Sequence, residues 1–439
     1  MTAPLQFGLV GFGNIGTGLV RTLAEQADRI ARRVARPIVL RRIADVDTRP
    51  RPGVPYDASI LVADAALLTD DPEIEAIVEL IGGVEPARSI VERALQAGKH
   101  VVTANKALLA LHGPELLALA AERGVGLLYE AAVGGGIPII RALQQGLCAN
   151  AIVSIQGIIN GTCNYILTQM EERGLPFELA LAEAQARGYA EPDPTFDIQG
   201  IDTAHKIAIL ASLAFGMDIR YPDVWVEGIT AIQPIDIRYA REMGYAIKLL
   251  GIARQPEPDG PAEVRVHPTL IPQDSQLASV RGVYNGILVH GEPIGPTFYY
   301  GQGAGAKATS SAVLSDLMAL AADARGFHPS SEARLRIPIG RKNLRPRESL
   351  ETHYYLRFTV VDRPGTMAKL TAALGDRDIS IESIIQHKPG GEDAPGLPGA
   401  ATVTIVTHRA AEKNVRACLA ALMASEICLA EPFVLRVEE

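Results

Sequence analysis

The chain has 439 residues, 48% hydrophobic and 21% charged, with a formal net charge of −8, a length that suggests about two to four domains, with about three expected. The negative balance disfavours nucleic acid and anionic membranes as partners, and no apolar run reaches the roughly 18 residues of a membrane span. Cys148, Cys163, Cys418 and Cys428 form no CxxC pair, so neither a zinc ribbon nor a disulfide framework is indicated, and a reducing, cytoplasmic setting fits.

Met1 to Val10 lacks a basic leader and runs straight into a glycine loop, so it reads as a first strand rather than a signal peptide. Gly11-Phe12-Gly13-Asn14-Ile15-Gly16 follows that strand and opens a helix, the context that makes GxGxxG a dinucleotide-binding loop. The first glycine permits the turn, the second lets backbone approach a pyrophosphate, and the third lets helix pack on strand. A glycine-rich structural turn is the bland alternative. Basic stretches at Arg29 to Arg42 and Arg334 to Arg347 read as a solvated face and a linker.

Strands at Ile38–Ala44, Ala76–Leu80 and His100–Thr103 alternate with helical patterns, among them Glu85–Ala97, which indicates βαβ units and a doubly wound parallel sheet of α/β class. Asp45, after the second strand, is placed to accept ribose hydroxyls and would repel a 2′-phosphate. Arg41, Arg42, Arg49 and Arg51 stand close enough to bind that same phosphate. NAD and NADP both stay open, with a lean to NAD.

Thr103-Ala104-Asn105-Lys106 lies at the C-terminal end of a sheet strand, where open α/β sheets bind ligands. The strand–helix alternation gives way after Gly134-Gly135-Gly136. Strands are expected at Ile152–Ile158, Ile229–Ala231 and Glu263–Leu270, and long helices near 177–187 and 201–215, giving a second, α+β domain. Glu191, Asp197, Asp202 and Lys206 fall close together within it, and Asp202 and Lys206, four apart, share one helical face. A surface ion pair is the plain alternative. His205 is one helical step, about 100°, from Lys206 and reads as a satisfied or exposed histidine. Cys148 and Cys163 read as small hydrophobes.

The Pro- and Arg-rich stretch from Phe327 to Arg347 marks a linker. Strand Tyr354–Val361, turn Asp362–Gly365, helix Thr366–Leu374, strands Ile379–Gln386 and Ala401–Thr407, helix Ala411–Ala424 and strand Ile427–Val437 follow. This βαββαβ order is that of a ferredoxin-like sandwich, expected to fold as its own unit. The expected division is 1–133, 134–325, linker 326–350 and 351–439.

Gly188-Tyr189-Ala190-Glu191-Pro192-Asp193-Pro194 with Asp197, Gly200, Asp202 and Lys206, Asn160-Gly161-Thr162-Cys163-Asn164-Tyr165-Ile166-Leu167, and the 103–106 segment resemble motifs of the homoserine dehydrogenases. That resemblance implies NAD(P)-dependent interconversion of L-homoserine and L-aspartate 4-semialdehyde in threonine, methionine and isoleucine biosynthesis. It implies Lys206 as proton donor, Lys106 between nicotinamide and substrate, Glu191 on the substrate amino group, and Asp197 and Asp202 holding lysine and substrate. Gly188 would line both substrate and cofactor, with Thr103 and Gly303 at the cofactor. A sodium ion would sit at Glu130, Val133, Gly135 and Ile137, where the bare sequence gives only a glycine hinge. The tail resembles an ACT domain, which implies an amino-acid effector, threonine by expectation, or else a dimerisation module without ligand. A homodimer or homotetramer is expected. Two rival readings are a non-catalytic NAD-dependent sensor and a cysteine-acylating semialdehyde dehydrogenase.

Overall fold

The computed structural model describes residues 3–34, 36–323, 339–387 and 399–438. Its first sheet holds β1 (Leu5–Val10), β2 (Ile38–Ala44), β3 (Leu61–Val62), β4 (Ala76–Glu79), β5 (His100–Thr103) and β6 (Leu127–Leu128), in the order β3-β2-β1-β4-β5-β6. Every pair is parallel. Helices therefore cover both faces, and inward residues such as Phe7, Leu9, Val78 and Val102 are fully buried. The strand order reverses between β1 and β4, which opens a crevice at their carboxyl ends. The helix Lys106–Arg123 begins where Asn105 Oδ1 accepts from the Leu108 N–H at 3.0 Å, and stops at Gly124 with φ +68°.

One helix crosses the expected boundary. Ala306–Asp323 lies in chain assigned to the 134–325 unit, yet its Val313, Leu317 and Ala321 join the apolar cluster of Phe7, Leu9 and Leu19 under the first sheet. Nothing in its local sequence marks that partner, and burial against a sheet distant in the chain decides where it sits.

The second sheet carries β7 (Ala151–Ile158), β8 (Trp225–Val226), β9 (Tyr245–Arg254), β10 (Glu263–Pro272), β11 (Tyr284–Glu292) and β12 (Gly295–Gln302). The helix Ile201–Phe215 lies between this sheet and the Lys106–Arg123 helix, with Ile207, Ala208 and Leu210 buried. That packing sets one face of the Asp202 helix against the first domain. The expected strand at Ile229–Ala231 is instead a turn. Trp225–Val226 takes the slot beside β10, and the Ile229 N–H is spent on the Ile198 carbonyl at 2.9 Å. A three-residue stretch such as Ile229-Thr230-Ala231 carries too little information to fix its own register.

The C-terminal unit comprises β13 (Glu351–Val361), helix Thr366–Gly375, β14 (Ile381–His387), β15 (Ala400–Thr407), β16 (Ala410–Ala411), helix Glu412–Met423 and β17 (Phe433–Val437). It has its own apolar cluster around Tyr354, Phe358, Leu370 and Ile405. Its sheet is nevertheless continuous with the second: β17 pairs in parallel with β10 through Thr269–Arg436 and Leu270–Val437. Buried Arg265 ion-pairs with Glu438 across that seam. Residues 326–338 of the expected linker lie outside the described residues. From 339 to 350 the chain is anchored rather than free, since Gly340 N donates to Gly216 O at 2.6 Å and Arg345 N to Ala262 O at 2.7 Å. Among the described residues no helix is long and apolar enough to cross a membrane.

Candidate active site

The glycine loop is built by backbone contact. A Cβ on Gly11, whose φ is +98°, would meet the Leu80 carbonyl carbon at 2.7 Å, and one on Gly16 would lie 2.2 Å from the Gly11 oxygen. No atom lies within 4 Å of a Cβ built on Gly13, so the surface above it is clear. The helix Asn14–Glu25 starts there with no side-chain cap. Its first-turn N–H groups at Asn14 and Ile15 thus form an anion seat, so these residues fit a dinucleotide pyrophosphate. Phe12 serves the loop otherwise: its ring is buried against Tyr56, centroids 4.9 Å apart, and its N–H donates to Asp45 Oδ2 at 2.5 Å.

Asp45 also accepts from Asp47 N at 2.8 Å, so its carboxylate braces the glycine loop at the end of β2. The four arginines considered for a 2′-phosphate each pair with a carboxylate. Arg41 and Arg42 pair with Asp71, while Arg49 and Arg51 pair with Asp47. The fold brings Asp71 to Arg41 and Arg42 from a distance, whereas Asp47 stands beside Arg49 and Arg51 in the sequence itself.

Thr103 is buried at the end of β5, its hydroxyl donating to Glu79 Oε2 at 2.6 Å and accepting from Asn105 N at 3.0 Å. Asn105 Nδ2 reaches the Gly83 carbonyl at 2.6 Å. This polar brace starts the helix at Lys106 and aims that side chain across the crevice.

Lys106 and Lys206 meet on one carboxylate. Lys106 Nζ lies 2.5 Å from Asp202 Oδ1 and Lys206 Nζ 2.7 Å from Asp202 Oδ2. Lys206 also donates to the Ile159 carbonyl at 2.7 Å. Their environments push the two amines apart. Burial holds the Lys206 amine below the usual lysine range, Asp202 offsetting only part of it. At Lys106 burial acts the same way, but Asp202, Asp197 and Glu191 outweigh it and raise the amine. Burial works to raise the Asp202 carboxyl, yet the two ammonium groups hold it well below the usual carboxylate range. Asp197 goes the other way, raised by burial and by the charge of Asp202.

Glu191 stands exposed on the loop above, close enough for its charge to act on Lys106. Gly188 has φ +73° and no atom within 4 Å of a built Cβ; it ends the Phe177–Ala186 helix, its N–H donating to Gln185 O at 3.0 Å. His205 is wedged between the rings of Phe196 and Tyr221, at 5.2 and 4.4 Å, and burial pushes its imidazole down to about 4. It is neutral packing, but neither the satisfied nor the exposed histidine expected: the ring is buried and its Nδ1 has no hydrogen-bond partner. Cys163 is fully buried and its thiol is pushed up by burial and by Asp197, the reverse of what an acylating nucleophile needs.

Three participants were missed. Phe196 carries Lys106 Nζ 5.7 Å from its ring centroid, and Glu79 anchors the Thr103 brace. Asn160 lay inside a motif but carried no role; its Nδ2 bonds both Asp197 and Asp202. A buried amide beside two acids leaves no periodic signal in sequence.

At the expected cation positions, Glu130 is buried and its two carboxylate oxygens accept from Ile140 N and Arg141 N at 2.9 and 3.0 Å. Gly135, φ +54°, lies so close to Gly303 that a Cβ would stand 2.6 Å from the Gly303 carbonyl. Gly303 leads into the Ala306–Asp323 helix, whose Ser310 hydroxyl donates to Ile15 O at 3.2 Å beside the dinucleotide loop.

A doubly wound sheet with an uncapped glycine loop, and two amines facing its switch point, defines the class: an oxidoreductase built around a dinucleotide-binding domain. The homoserine dehydrogenase family model matches residues 138–318, the homoserine dehydrogenase NAD-binding domain matches 11–130, and the ACT domain matches 354–423. Homoserine dehydrogenases of Pseudomonas aeruginosa and Neisseria gonorrhoeae are 43% and 41% identical, over 99% and 98% of this chain and equal shares of their own. A solved homoserine dehydrogenase from Thiobacillus denitrificans has a TM-score of 0.90 at 42% identity, covering 99% of this chain and 98% of that one. A hyperthermophilic archaeal homoserine dehydrogenase in complex with NADPH has a TM-score of 0.61 at 25% identity, covering 74% of this chain and 98% of its own. The chain belongs to the homoserine dehydrogenase family.

Proposed function

We propose that the crevice between the two sheets interconverts L-homoserine and L-aspartate 4-semialdehyde, with Lys206 as the proton-transferring group. The convergence of Lys106 and Lys206 on Asp202 carries this reading. Pairs of groups whose environments separate their pKa values divide acid and base roles between them. Lys206, with its lowered pKa, takes the hydroxyl proton of homoserine at Nζ and returns it to the carbonyl oxygen in reduction. Lys106 stays charged and stabilises negative charge as it grows on that oxygen. Asp202 holds both amines in register. Glu191, exposed at the rim, binds the substrate ammonium, with Asp197 and Gly188 completing that wall.

A bound nicotinamide supplies the hydride acceptor, and the seat at Gly11, Gly13, Asn14, Ile15 and Gly16 holds its pyrophosphate. NAD is the preferred form, since Asp45 opposes a 2′-phosphate and the nearby arginines are already paired. Main-chain carbonyl oxygens around Glu130, Val133, Gly135 and Ile137 are hard donors that suit a sodium ion, the Glu130 side chain being occupied by N–H groups. The C-terminal unit binds an amino-acid effector, threonine, and slows the reaction, which belongs to threonine, methionine and isoleucine synthesis. The enzyme works as a dimer or tetramer in the cytoplasm, its four cysteines being free thiols.

The test is a spectrophotometric assay at the nicotinamide absorbance, with homoserine and NAD or NADP, and with the semialdehyde in reverse. Turnover in both directions, faster with NAD, is expected. No homoserine-dependent reduction of either cofactor would end the reading.

A further inference from the structure

Asn160 follows β7 and caps the helix Gly161–Arg173, its Oδ1 accepting from Cys163 N at 2.8 Å. That bond fixes the flip of the amide, because the oxygen must face the helix N–H. The Nδ2 protons then point the other way, and each meets a different carboxylate: Asp197 Oδ1 at 2.7 Å and Asp202 Oδ2 at 2.8 Å. The residue is only 5% exposed, so water does not compete for these bonds. The preceding carbonyl, Ile159, receives Lys206 Nζ. One strand-to-helix corner thus contacts both acids and the lysine.

We propose that Asn160 is a positioning residue that yokes Asp197 to Asp202 and keeps both carboxylates turned toward the two lysines. This rests on the site reading above and deepens it. Capping alone does not call for asparagine here, since Ser, Thr, Asp or Gly would serve at an N-cap. What asparagine adds is two donors opposite one acceptor. Two carboxylates held together out of water repel, and one tends to keep its proton. Asp197 is faced by Asp202 and Lys206 from the Ile201–Phe215 helix, by Lys106 across the crevice, and by buried Cys163 from below. Asn160 is a neutral donor to both acids, favouring their ionised forms, and Thr162 adds a second neutral donor to Asp197 alone.

Asn160→Ser keeps a capping oxygen and removes both amide donors. Its expected result is a kcat lowered about 10–100-fold, the scale for partners that orient a functional group, with cofactor Kd near wild type and a lower Tm, since two buried hydrogen bonds to carboxylates are lost. The acid limb of the kcat profile should move to higher pH, because Asp197 would hold its proton longer. On an Asp197→Asn background the same change should cost distinctly less, the two sharing one interaction. Asn160→Asp, which also caps, should lose activity most at neutral pH and regain part of it on acidification, when its carboxyl can donate. A serine variant with wild-type kcat and an unmoved profile, or the same loss on both backgrounds, would overturn the assignment. If Lys206→Met is inactive while Asn160→Ser is silent, only the Asn160 role falls; if Lys206→Met turns over normally, the site reading itself falls.

Discussion

Replacing Lys206 by methionine tests the site most directly. The residue is 8% exposed and its Nζ holds Asp202 Oδ2 and the Ile159 carbonyl. Methionine fills similar space in an apolar helix face. Breaking a buried ion pair usually costs about 3–5 kcal/mol by stranding a charge, but Asp202 keeps Lys106 at 2.5 Å and Asn160 at 2.8 Å. The loss in stability is therefore that of about one charged hydrogen bond, roughly 1.5–3 kcal/mol, and the variant should fold. Positioned acid–base groups contribute about 10²–10⁴-fold, which is roughly 2.7–5.4 kcal/mol of barrier at about 1.36 kcal/mol per decade. Homoserine oxidation followed at the nicotinamide absorbance should lose that factor in kcat, with cofactor affinity unchanged by fluorescence titration. In the wild type, oxidation should rise with pH through a midpoint below the ordinary lysine value of 10.5, because burial depresses the amine, and the variant should lack that limb. Normal turnover, or a limb that persists without Lys206, would refute the assignment.

Gly16→Ala would drive a Cβ to within 2.2 Å of the Gly11 carbonyl; dinucleotide binding measured by titration should be lost or weakened at least tenfold, by order of magnitude about 1.4 kcal/mol or more, and unchanged affinity would dismiss the loop as the cofactor seat. Arg436 is fully buried, donates to Glu227 and Glu412, and lies 4.3 Å from the Trp225 ring centroid, as Arg347 does at 3.7 Å; Arg436→Ala should lower Tm by several degrees. Burial would raise the Glu412 carboxyl, but Arg436, Arg416 and Tyr354 bring it down to about 2 from 4.5. Its contribution to stability is thus present above pH 4.5 and lost as pH falls through about 2, and in Arg436→Ala that acid dependence should shrink in pH-jump unfolding. Adding threonine to the full chain should slow turnover; unaffected rates would remove the effector reading. Cutting the chain near residue 349 is a poor form of that test, since it strips β17 from β10 and leaves Arg265 without Glu438.

Much of the first domain was legible because parallel strands and their helices are local patterns: β2 and β5 begin and end where the apolar runs do. The helix bearing Asp202 and Lys206 was equally clear from its apolar pattern, and in the structure Gly200 and Gly216 bound it in left-handed conformations. The Ile229–Ala231 segment misled because a stretch as short as Ile-Thr-Ala is compatible with strand or turn until a partner chooses. The pairing of Arg41 and Arg42 with Asp71 was not legible, because a charge in sequence shows nothing of a distant counter-ion.

Local sequence determined the glycine loop, the amphipathic elements and the presence of two lysines and several acids in family register, since each depends on residues within a few turns of one another. Only the tertiary structure decided that Lys106 and Lys206 share one carboxylate, that Asn160 bridges two acids, and that the C-terminal sheet continues the second. Those facts join residues about 40 to 170 positions apart. Whether a buried amine holds or releases its proton depends on burial and on charges brought from elsewhere in the fold.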